Sequence, residues 1–327
     1  MQRAPGRVLR VLFMVLALHC VAPVATAQPA GYPSKPVRAI VTLQPGAATD
    51  ILARFVMDAL SRASGKSFFV DNRPGAGGNI GMAIGEKSPP DGYTLQFSGL
   101  GSQIINPLVY ALPGWDPKNF DGVVMVARIP FLMAVNKDLP VKSFADLVGY
   151  TKANPGKVNI ALTSTTSRLS HELLKRVSEV DLFPIAYTSP NAAMVDAIAG
   201  RVSVVIETTS ALTSQVESGK LRAIAITTLR ESPLMPGLQS LAKQGAPRFG
   251  EFVGWTSLLV PHGTPREIVQ WLNVEINKIL AEPATRKRFA ELGAEPGSGT
   301  PEELTAYFAG EREKWTPIIK AAGIKAD

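Results

Sequence analysis

Short apolar runs alternate along the chain with longer segments in which apolar residues recur every three or four positions. The short runs predict strands and lie at residues 37–42, 68–71, 93–98, 158–162, 183–187, 202–206, 221–227 and 257–260. The longer segments predict helices and lie at residues 49–64, 79–86, 143–153, 167–177, 191–199 and 265–281. This alternation predicts βαβ units, and therefore an α/β fold with mostly parallel sheets.

The length of the chain favours two lobes, because 327 residues exceed what one hydrophobic core holds comfortably. Proline and glycine near the apolar runs at 128–135 and 250–260 indicate two connections between the lobes. We therefore predict a first lobe made of residues 28–130 and 253–327, which includes the C-terminal helices. The second lobe, residues 131–252, is inserted into the first.

The first 27 residues have the pattern of a secretory signal peptide. A basic segment precedes an apolar run, which ends at the small-x-small signature Ala25-Thr26-Ala27. The run is short for a membrane span, and His19 and Pro23 interrupt it. We therefore expect residues 1–27 to be cleaved and the mature protein to lie in the periplasm.

Charge and cysteine content narrow the functional classes. The whole chain has 34 basic and 27 acidic residues, a formal net charge of +7. The signal peptide contains three arginines and no acid, so the mature balance is 31 against 27, or +4. The densest basic cluster, 286–288, is flanked by acids, which is typical of a solvated helix face and not of a nucleic-acid-binding surface. Cys20, the single cysteine, is lost with the signal peptide, so we expect no disulfide.

The first candidate ligand loop, residues 43–50, connects a predicted strand to a predicted helix. Gly46, Ala47 and Ala48 leave room for a ligand to approach the backbone. The free amide groups and the dipole at a helix N-terminus favour an anion there. Thr49 or Asp50 would cap the helix, and an ordinary capped loop explains the segment equally well.

Consecutive hydroxyl residues form the second candidate loop, which also lies between a predicted strand and a predicted helix. Its members are Thr163, Ser164, Thr165, Thr166 and Ser167. Their hydroxyl and amide groups can donate to a carboxylate, and Arg168 would add positive charge. A polar turn with a serine cap is the alternative. Five hydroxyl residues exceed what capping needs, which favours ligand binding.

Catalytic and metal-binding motifs are absent from the sequence. The mature chain has His171 within a predicted helix and His262 in a Pro-His-Gly turn, and neither position is typical of catalysis. We find no G-x-S-x-G, no H-E-x-x-H and no clustered metal ligands. The glycine-rich stretch 75–81 lacks the third glycine of a dinucleotide fingerprint, because Ile80 occupies that position. We therefore expect no enzymatic activity, no metal and no cofactor.

The motifs in order resemble the Bug-type extracytoplasmic receptors, the substrate-binding proteins of tripartite tricarboxylate transporters. The matching stretches run along nearly the whole mature chain and include YPSKPVRAIV (32–41), PGAATDILAR (45–54), DNRPGAGGNIG (71–81), INPLVY (105–110), SGKLRAIAIT (218–227) and LGAEPGSGTPEEL (292–304). The resemblance implies a type II periplasmic-binding-protein fold, with two α/β lobes joined by two strands that close on a ligand. It also implies that the loops 45–50 and 163–168 hold a ligand carboxylate, partly through water.

The differences from the family pattern are concentrated in these loops. The family usually reads Pro-Pro-Gly-Gly where this chain has Gln44-Pro45-Gly46-Ala47-Ala48, and Gly-Asn-Gly-Ser where it has residues 163–167. The common Tyr-Lys-Gly-Ser is replaced by Tyr187-Thr188-Ser189-Pro190, and Phe-Asp-Asn by Ile206-Glu207-Thr208. The resemblance therefore adds Tyr187, Glu207 and Thr208 to the candidate site. The altered loops imply a different ligand or weaker binding.

The sequence as a whole predicts a monomeric periplasmic receptor that captures a small carboxylate-bearing ligand for membrane transporter subunits. A sensor that presents its ligand to a membrane signalling protein shares every one of these features. A periplasmic hydrolase on the same fold is the third alternative, and it lacks a visible catalytic set. No nucleic acid partner is expected.

We predict that the amides of residues 47–50 and the hydroxyls of Ser164, Thr165 and Ser167 hold the carboxylate. Glu207 would repel a second carboxylate, so a monocarboxylate, an amino acid or an amide should bind better than citrate-like polyanions. Trp255, in the second connection, is the tryptophan most expected to face the ligand.

Overall fold

The computed structural model describes residues 28–187 and 190–325. The predicted signal peptide, Thr188 and Ser189 lie outside the described residues. The strands are β1 (Val37–Val41), β2 (Phe68–Asn72), β3 (Thr94–Gly99), β4 (Phe120–Asn136), β5 (Asn159–Leu162), β6 (Phe183–Ala186), β7 (Val204–Thr208), β8 (Leu221–Ile226), β9 (Val253–Pro261) and β10 (Glu295–Pro296). The helices are α1 (Ala48–Ser64), α2 (Asn79–Glu86), α3 (Asn106–Val109), α4 (Phe144–Ala153), α5 (Thr165–Val177), α6 (Pro190–Ile198), α7 (Thr209–Glu217), α8 (Arg266–Ala281), α9 (Pro283–Glu291) and α10 (Pro301–Ala322). A one-turn π-helix, Gly101–Ile105, precedes α3.

Two sheets repeat the same strand pattern. The first has the order β2-β1-β3-β9-β4, and the second has the order β6-β5-β7-β4-β8. In each sheet, four of the five strands run in the same direction. The exception is the fourth strand in the order, which is β9 in the first sheet and β4 in the second, and which is antiparallel to both of its neighbours. The prediction of an α/β fold with two lobes and mostly parallel sheets is therefore confirmed.

The long strand β4 belongs to both sheets. Its first part pairs with β9 as far as Pro130, and its second part pairs with β7 from Phe131 onward. The chain returns near Phe252, whose amide donates to the carbonyl of Thr227 at 3.0 Å. The lobe boundaries at residues 130/131 and 252/253 stay predictions, and the change of partner along β4 is compatible with them.

Three hydrophobic clusters fill the space around the sheets. One packs α1 and α8 against the first sheet, and another packs α6 and α7 against the second. The third cluster runs through both lobes on the side of α10. There Trp315 of α10 meets Phe252 edge to face at 5.4 Å, and Phe308 stacks on Trp255 at 5.2 Å. Helix α10 therefore bridges the lobes.

Most predicted elements are present with shifted ends, and several observed elements were not predicted, among them α3, α7, β10 and the π-helix. Helix α2 has the predicted bounds, 79–86. The strand predicted at 202–206 lies two residues later because the amide of Val202 donates to Asp196 at the end of α6. Helix α7 was missed because its threonine and serine residues favour turns. The π-helix was missed because glycine and serine at its start carry no apolar period.

The carboxyl ends of the parallel strands in the two sheets point toward each other. Strand β3 is separated from β4 by β9 and runs parallel to β4, toward the second lobe. Strand β7 runs antiparallel to β4 and therefore in the opposite direction. The end of β3 lies level with Ala127 of β4, and the end of β7 lies level with Phe131. About four residues, or roughly 13 Å of strand, separate these two levels. The helix starts that follow β1, β3, β5 and β7 therefore border one inter-lobe cleft.

Candidate ligand-binding site

Helix α1 supplies open amide groups to the first wall of the cleft. Its N-cap is Ala47, which has no side-chain capping bond, and the carbonyl of Ala47 accepts the first helical bond from Ile51 at 3.0 Å. The prediction that Thr49 or Asp50 caps the helix is wrong. In the described part of the chain, the amides of Ala48, Thr49 and Asp50 have no protein acceptor, as the start of a helix requires.

Asp50 holds this loop in place and is not available to a ligand. It is only 2% exposed, and its Oδ2 accepts hydrogen bonds from the Gly46 amide at 2.8 Å and from Arg54 Nε at 3.1 Å. Asn72 donates to Asp50 Oδ1 at 2.8 Å and to the Leu43 carbonyl at 3.0 Å. Burial raises the pKa of Asp50, but the hydrogen bonds from Arg54, Gly46 and Asn72 outweigh it, so the pKa lies below its ordinary value.

Thr49 also has a structural contact. Its Oγ1 lies 3.3 Å from Oγ1 of buried Thr256, which belongs to β9. This hydroxyl pair ties the start of α1 to a strand that continues from the inter-lobe connection. Of the predicted residues in the first wall, Gly46, Ala47 and Ala48 are accessible, and Asp50 and Thr49 position them.

The start of α5 forms the second wall, and its serines make a capping box. The amide of Ser167 donates to Ser164 Oγ at 3.2 Å, and Ser167 Oγ accepts from the amides of Ser164 at 2.9 Å and Thr163 at 2.8 Å. Ser167 is buried and its hydroxyl also donates to the Ser164 carbonyl. The Ser167 hydroxyl is therefore used within the loop. Ser164 is exposed and its Oγ accepts the capping bond, so a contact between the Ser164 hydroxyl and a ligand stays a prediction.

Other members of the hydroxyl run remain accessible. Thr165 is exposed and Thr166 is half-buried, and no acceptor for their amides is found in the described part of the chain. Arg168 is exposed and forms no ion pair among residues 28–187 and 190–325. The second wall therefore offers two amides, the Thr165 and Thr166 hydroxyls and a nearby cation.

Helix α7 adds a third start beside α5, which sequence reasoning missed. Strands β5 and β7 are parallel with Ile160 opposite Val204, and the same register places Thr163 beside Glu207. Thr208 is the N-cap of α7, and its Oγ1 lies 2.9 Å from Ser210 Oγ. The strand ends therefore set the starts of α5 and α7 side by side.

Glu207 has a partner that was also missed. The Thr163 hydroxyl donates to Glu207 Oε1. Burial raises the pKa of Glu207 above its ordinary value, while the hydrogen bonds from Thr163 and from the Thr208 amide lower it in part. The sequence signal for this pair was a threonine directly after β5 and a glutamate near the end of β7. Recognising the pair requires the register of the two strands.

Tyr187 forms its side-chain hydrogen bond with α6. Its hydroxyl donates to Asp196 Oδ2 of α6 at 2.8 Å, and Asp196 also pairs with Arg201 at 2.6 Å. Burial, followed by the contact with Asp196, raises the pKa of Tyr187. The structure therefore gives Tyr187 a contact within the second lobe instead of a free hydroxyl.

The two walls, the loops at 43–50 and 163–168, are not joined by a hydrogen bond in the described residues. The lobes meet instead beside the crossing of β4, where Thr209 Oγ1 donates to the carbonyls of Gly293 at 2.5 Å and Pro130 at 3.2 Å. In the same ranges, no group of three or more potential metal ligands is present. Across these ranges we also find no helix long and apolar enough to cross a membrane.

Comparison with known proteins identifies relatives of this architecture. A family model described as the tripartite tricarboxylate transporter family receptor matches residues 52–324. BugT of Bordetella pertussis is 33% identical over 300 residues, which cover 90% of this chain and 91% of that protein. A protein from the tcbD-tcbE intergenic region of Pseudomonas sp. strain P51 is 32% identical over 291 residues, which cover 88% of this chain and 86% of that protein.

Solved structures give the same result. The R. palustris protein Rpa4515, solved with adipate, is 35% identical with a TM-score of 0.77, and the match covers 90% of this chain and 99% of that one. The periplasmic binding protein BugD is 29% identical with a TM-score of 0.73, and the match covers 90% and 100% of the two chains. The two-lobed fold implied by the resemblance and the expectation of a binding protein without enzymatic activity are confirmed. The chain belongs to the tripartite tricarboxylate transporter receptor family, whose members are periplasmic solute-binding receptors.

Proposed function

We propose that this protein is a periplasmic receptor that binds one small carboxylate-bearing molecule in the inter-lobe cleft and delivers it to the membrane subunits of a tripartite tricarboxylate-type transporter. The main support is the set of three helix starts, α1, α5 and α7, that border the cleft. Their unpaired amides and helix dipoles attract an anion without any charged side chain. A monomeric mature protein in the periplasm is part of the proposal.

In this site the ligand carboxylate accepts hydrogen bonds from the amides of Ala48 and Thr49 on one wall and of Thr165 and Thr166 on the other. The Thr165 hydroxyl adds a donor on the second wall. When the lobes close, water leaves the cleft, and the interaction between the carboxylate and these amides becomes stronger because the local dielectric constant falls.

The other end of the ligand is neutral in our proposal. Glu207 lies two residues before the start of α7, and its carboxylate repels a second carboxylate. The relative Rpa4515 was solved with adipate, a six-carbon dicarboxylate. We expect this chain to accept a ligand of similar chemistry in which one carboxylate is replaced by an amide or a hydroxyl group.

A binding screen tests the proposal. Hexanoate, 6-hydroxyhexanoate, the monoamide of adipate, adipate and citrate are titrated into the mature protein, with thermal unfolding and calorimetry as readouts. A ligand at 100 times its Kd should add about 2.7 kcal/mol to the free energy of unfolding. We expect the monoamide and the hydroxy acid to bind more tightly than adipate, and citrate to bind weakly. Tight citrate binding would contradict the role of Glu207.

Transport is tested in cells. A strain that lacks this protein should fail to take up the radiolabelled ligand identified in the screen, and the intact gene should restore uptake. A strain that keeps normal uptake but loses a transcriptional response to the ligand would contradict delivery to a transporter and favour a sensory role.

A further inference from the structure

Gln103 is a buried polar side chain without a protein partner. It is 2% exposed, its Oε1 is fully enclosed, and within residues 28–187 and 190–325 its side chain forms no hydrogen bond. An unpaired amide of this kind keeps the desolvation penalty of burial without the hydrogen bonds that offset it. Natural cores rarely keep such groups, so an unpaired amide calls for a physical reason.

The position of Gln103 supplies a candidate reason. It lies in the π-helix that starts directly after β3, at the carboxyl edge that borders the cleft. No atom lies within 4 Å of the Cβ position at Gly101, so this helix start adjoins open space. Single π-turns occur frequently at functional sites. By the repeated strand order, the π-helix is the counterpart in the first lobe of α7 in the second.

A second buried polar group without a partner belongs to β9, the strand that pairs with the end of β3. The indole Nε1 of Trp255 is buried and has no acceptor in the described part of the chain. Trp255 directly precedes Thr256, which pairs with Gly99 at the end of β3. The carbonyl of Trp255 lies 2.8 Å from the Cβ position at Gly99, so the two strands are in close contact where the helical turn of Gln103 begins.

Gln96 shows what a purely structural buried glutamine does in this fold. It lies on β3 itself, and its Nε2 donates to the carbonyl of Phe97 at 2.8 Å and of Ile40 at 3.4 Å. Its amide therefore ties two strands together, although its Oε1 has no partner. Gln103 has no such bond on either atom. Both glutamine side chains are buried, but only that of Gln96 forms hydrogen bonds in the described residues.

We propose that Gln103 and the indole N–H of Trp255 form a subsite for the neutral polar group at the far end of the ligand. This inference rests on the proposed function and deepens it. The subsite offers two donors, Gln103 Nε2 and Trp255 Nε1, and one acceptor, Gln103 Oε1. A primary amide or a hydroxyl group satisfies both kinds of partner. An ionised carboxylate cannot donate to Oε1, so it leaves that atom unpaired.

The test compares Gln103→Leu with the matched control Gln96→Leu in the full mature chain. The probes are the monoamide of adipate and hexanoate, measured by calorimetry, with the unfolding temperature of the free protein as a second readout. We expect Gln103→Leu to weaken monoamide binding about 3- to 10-fold, the effect of one or two hydrogen bonds, and to leave hexanoate binding within about twofold. Its unfolding temperature without ligand should stay equal or rise, because an unpaired amide is replaced by an apolar group.

Gln96→Leu should give the opposite pattern, with a lower unfolding temperature and an unchanged ratio of monoamide to hexanoate affinity. Trp255→Phe, which keeps the stacking on Phe308, should lower the same ratio as Gln103→Leu does. If Gln103→Leu lowers the unfolding temperature and leaves the ratio unchanged, Gln103 is structural and the subsite is refuted. If the unmodified protein binds none of the six-carbon acids, the proposed function itself fails.

Discussion

At the scale of single residues, the proposed site depends more on side chains that hold the backbone in place than on side chains that would contact a ligand. Asp50 fixes Gly46, and Ser164 and Ser167 fix the start of α5. The sequence predicted which loops join a strand end to the start of α1 or α5, because strand ends and helix starts are encoded locally. It did not predict which hydroxyls already have protein partners, because this depends on a capping box four residues long and on the register that pairs Thr163 with Glu207.

Glu207 should make dicarboxylate binding depend on pH. Its pKa is raised, chiefly by burial, so its protonated form becomes populated at a higher pH than for an ordinary glutamate. As the pH falls from neutral toward this raised pKa, the repulsion of a second carboxylate disappears, and adipate should bind more tightly. Calorimetry between pH 7 and about pH 5 measures the effect.

Glu207→Gln is the control, because it removes the charge at every pH while the titration of adipate itself remains. This variant should bind adipate more tightly than the parent protein at neutral pH and should show a weaker pH dependence. The variant protein should also be more stable than the parent at neutral pH, since a raised carboxyl pKa means that the ionised form costs stability above that pKa. Equal pH dependence in both proteins would place Glu207 outside the ligand site.

Substitutions of the neighbouring residues Ser164 and Thr165 should distinguish an effect on protein stability from an effect on ligand binding. Ser164→Ala removes the N-cap of α5 and should lower the free energy of unfolding by about 1 kcal/mol. Thr165→Ala removes an exposed hydroxyl; it should leave stability within about 0.5 kcal/mol and weaken carboxylate binding by about 0.5–1.5 kcal/mol. Urea unfolding and calorimetry give both numbers. A double variant with unchanged affinity would move the site away from this loop.

At the scale of elements, the cleft arises from a repeated unit in which a helix start follows the end of a parallel strand. Alternating strands and helices predicted this unit correctly for α1 and α5, because their apolar faces are clear. Helix α7 and the π-helix perform the same role without an apolar period, and only the sheet order shows it. The contact of α7 with the turn before β10 also joins the two lobes.

Substitution of Gly293 tests the contact between α7 and the turn before β10. It has φ +67°, and a Cβ atom there would lie 2.5 Å from the Ser210 amide nitrogen in the first turn of α7. Gly293→Ala should therefore lower the free energy of unfolding by about 2–4 kcal/mol, through backbone strain and overpacking together. The matched control is Gly263→Ala, at φ +87° with no atom within 4 Å, which should cost about 1–2 kcal/mol. An equal loss of unfolding free energy in both variants would show that α7 can shift at this contact without a measurable penalty.

At the scale of the whole molecule, the two lobes are joined by few elements with different mechanical roles. Strand β4 passes through both sheets, the return segment at Phe252 forms the second connection, and α10 packs across both. An ion pair between Arg128 and Glu251 links the two connections. The sequence predicted these crossings from proline and glycine near apolar runs. It could not predict the bridging by α10, because that depends on aromatic contacts between residues more than 50 positions apart.

The two lobes should close around a bound ligand. The backbone crosses between the lobes at β4 and at the return segment, and α10 packs across both. The walls at 43–50 and 163–168 make no direct hydrogen bond in the described residues. A carboxylate that both walls bind should therefore draw them together, since its differential affinity for the closed state shifts the equilibrium. Small-angle scattering of the mature protein should show a smaller radius of gyration at a saturating concentration of the tightest ligand from the screen. Citrate at equal ionic strength is the control for general anion effects and should leave the radius unchanged. Stabilisation by the ligand without compaction would mean that one wall binds alone, and it would contradict closure about the crossing of β4.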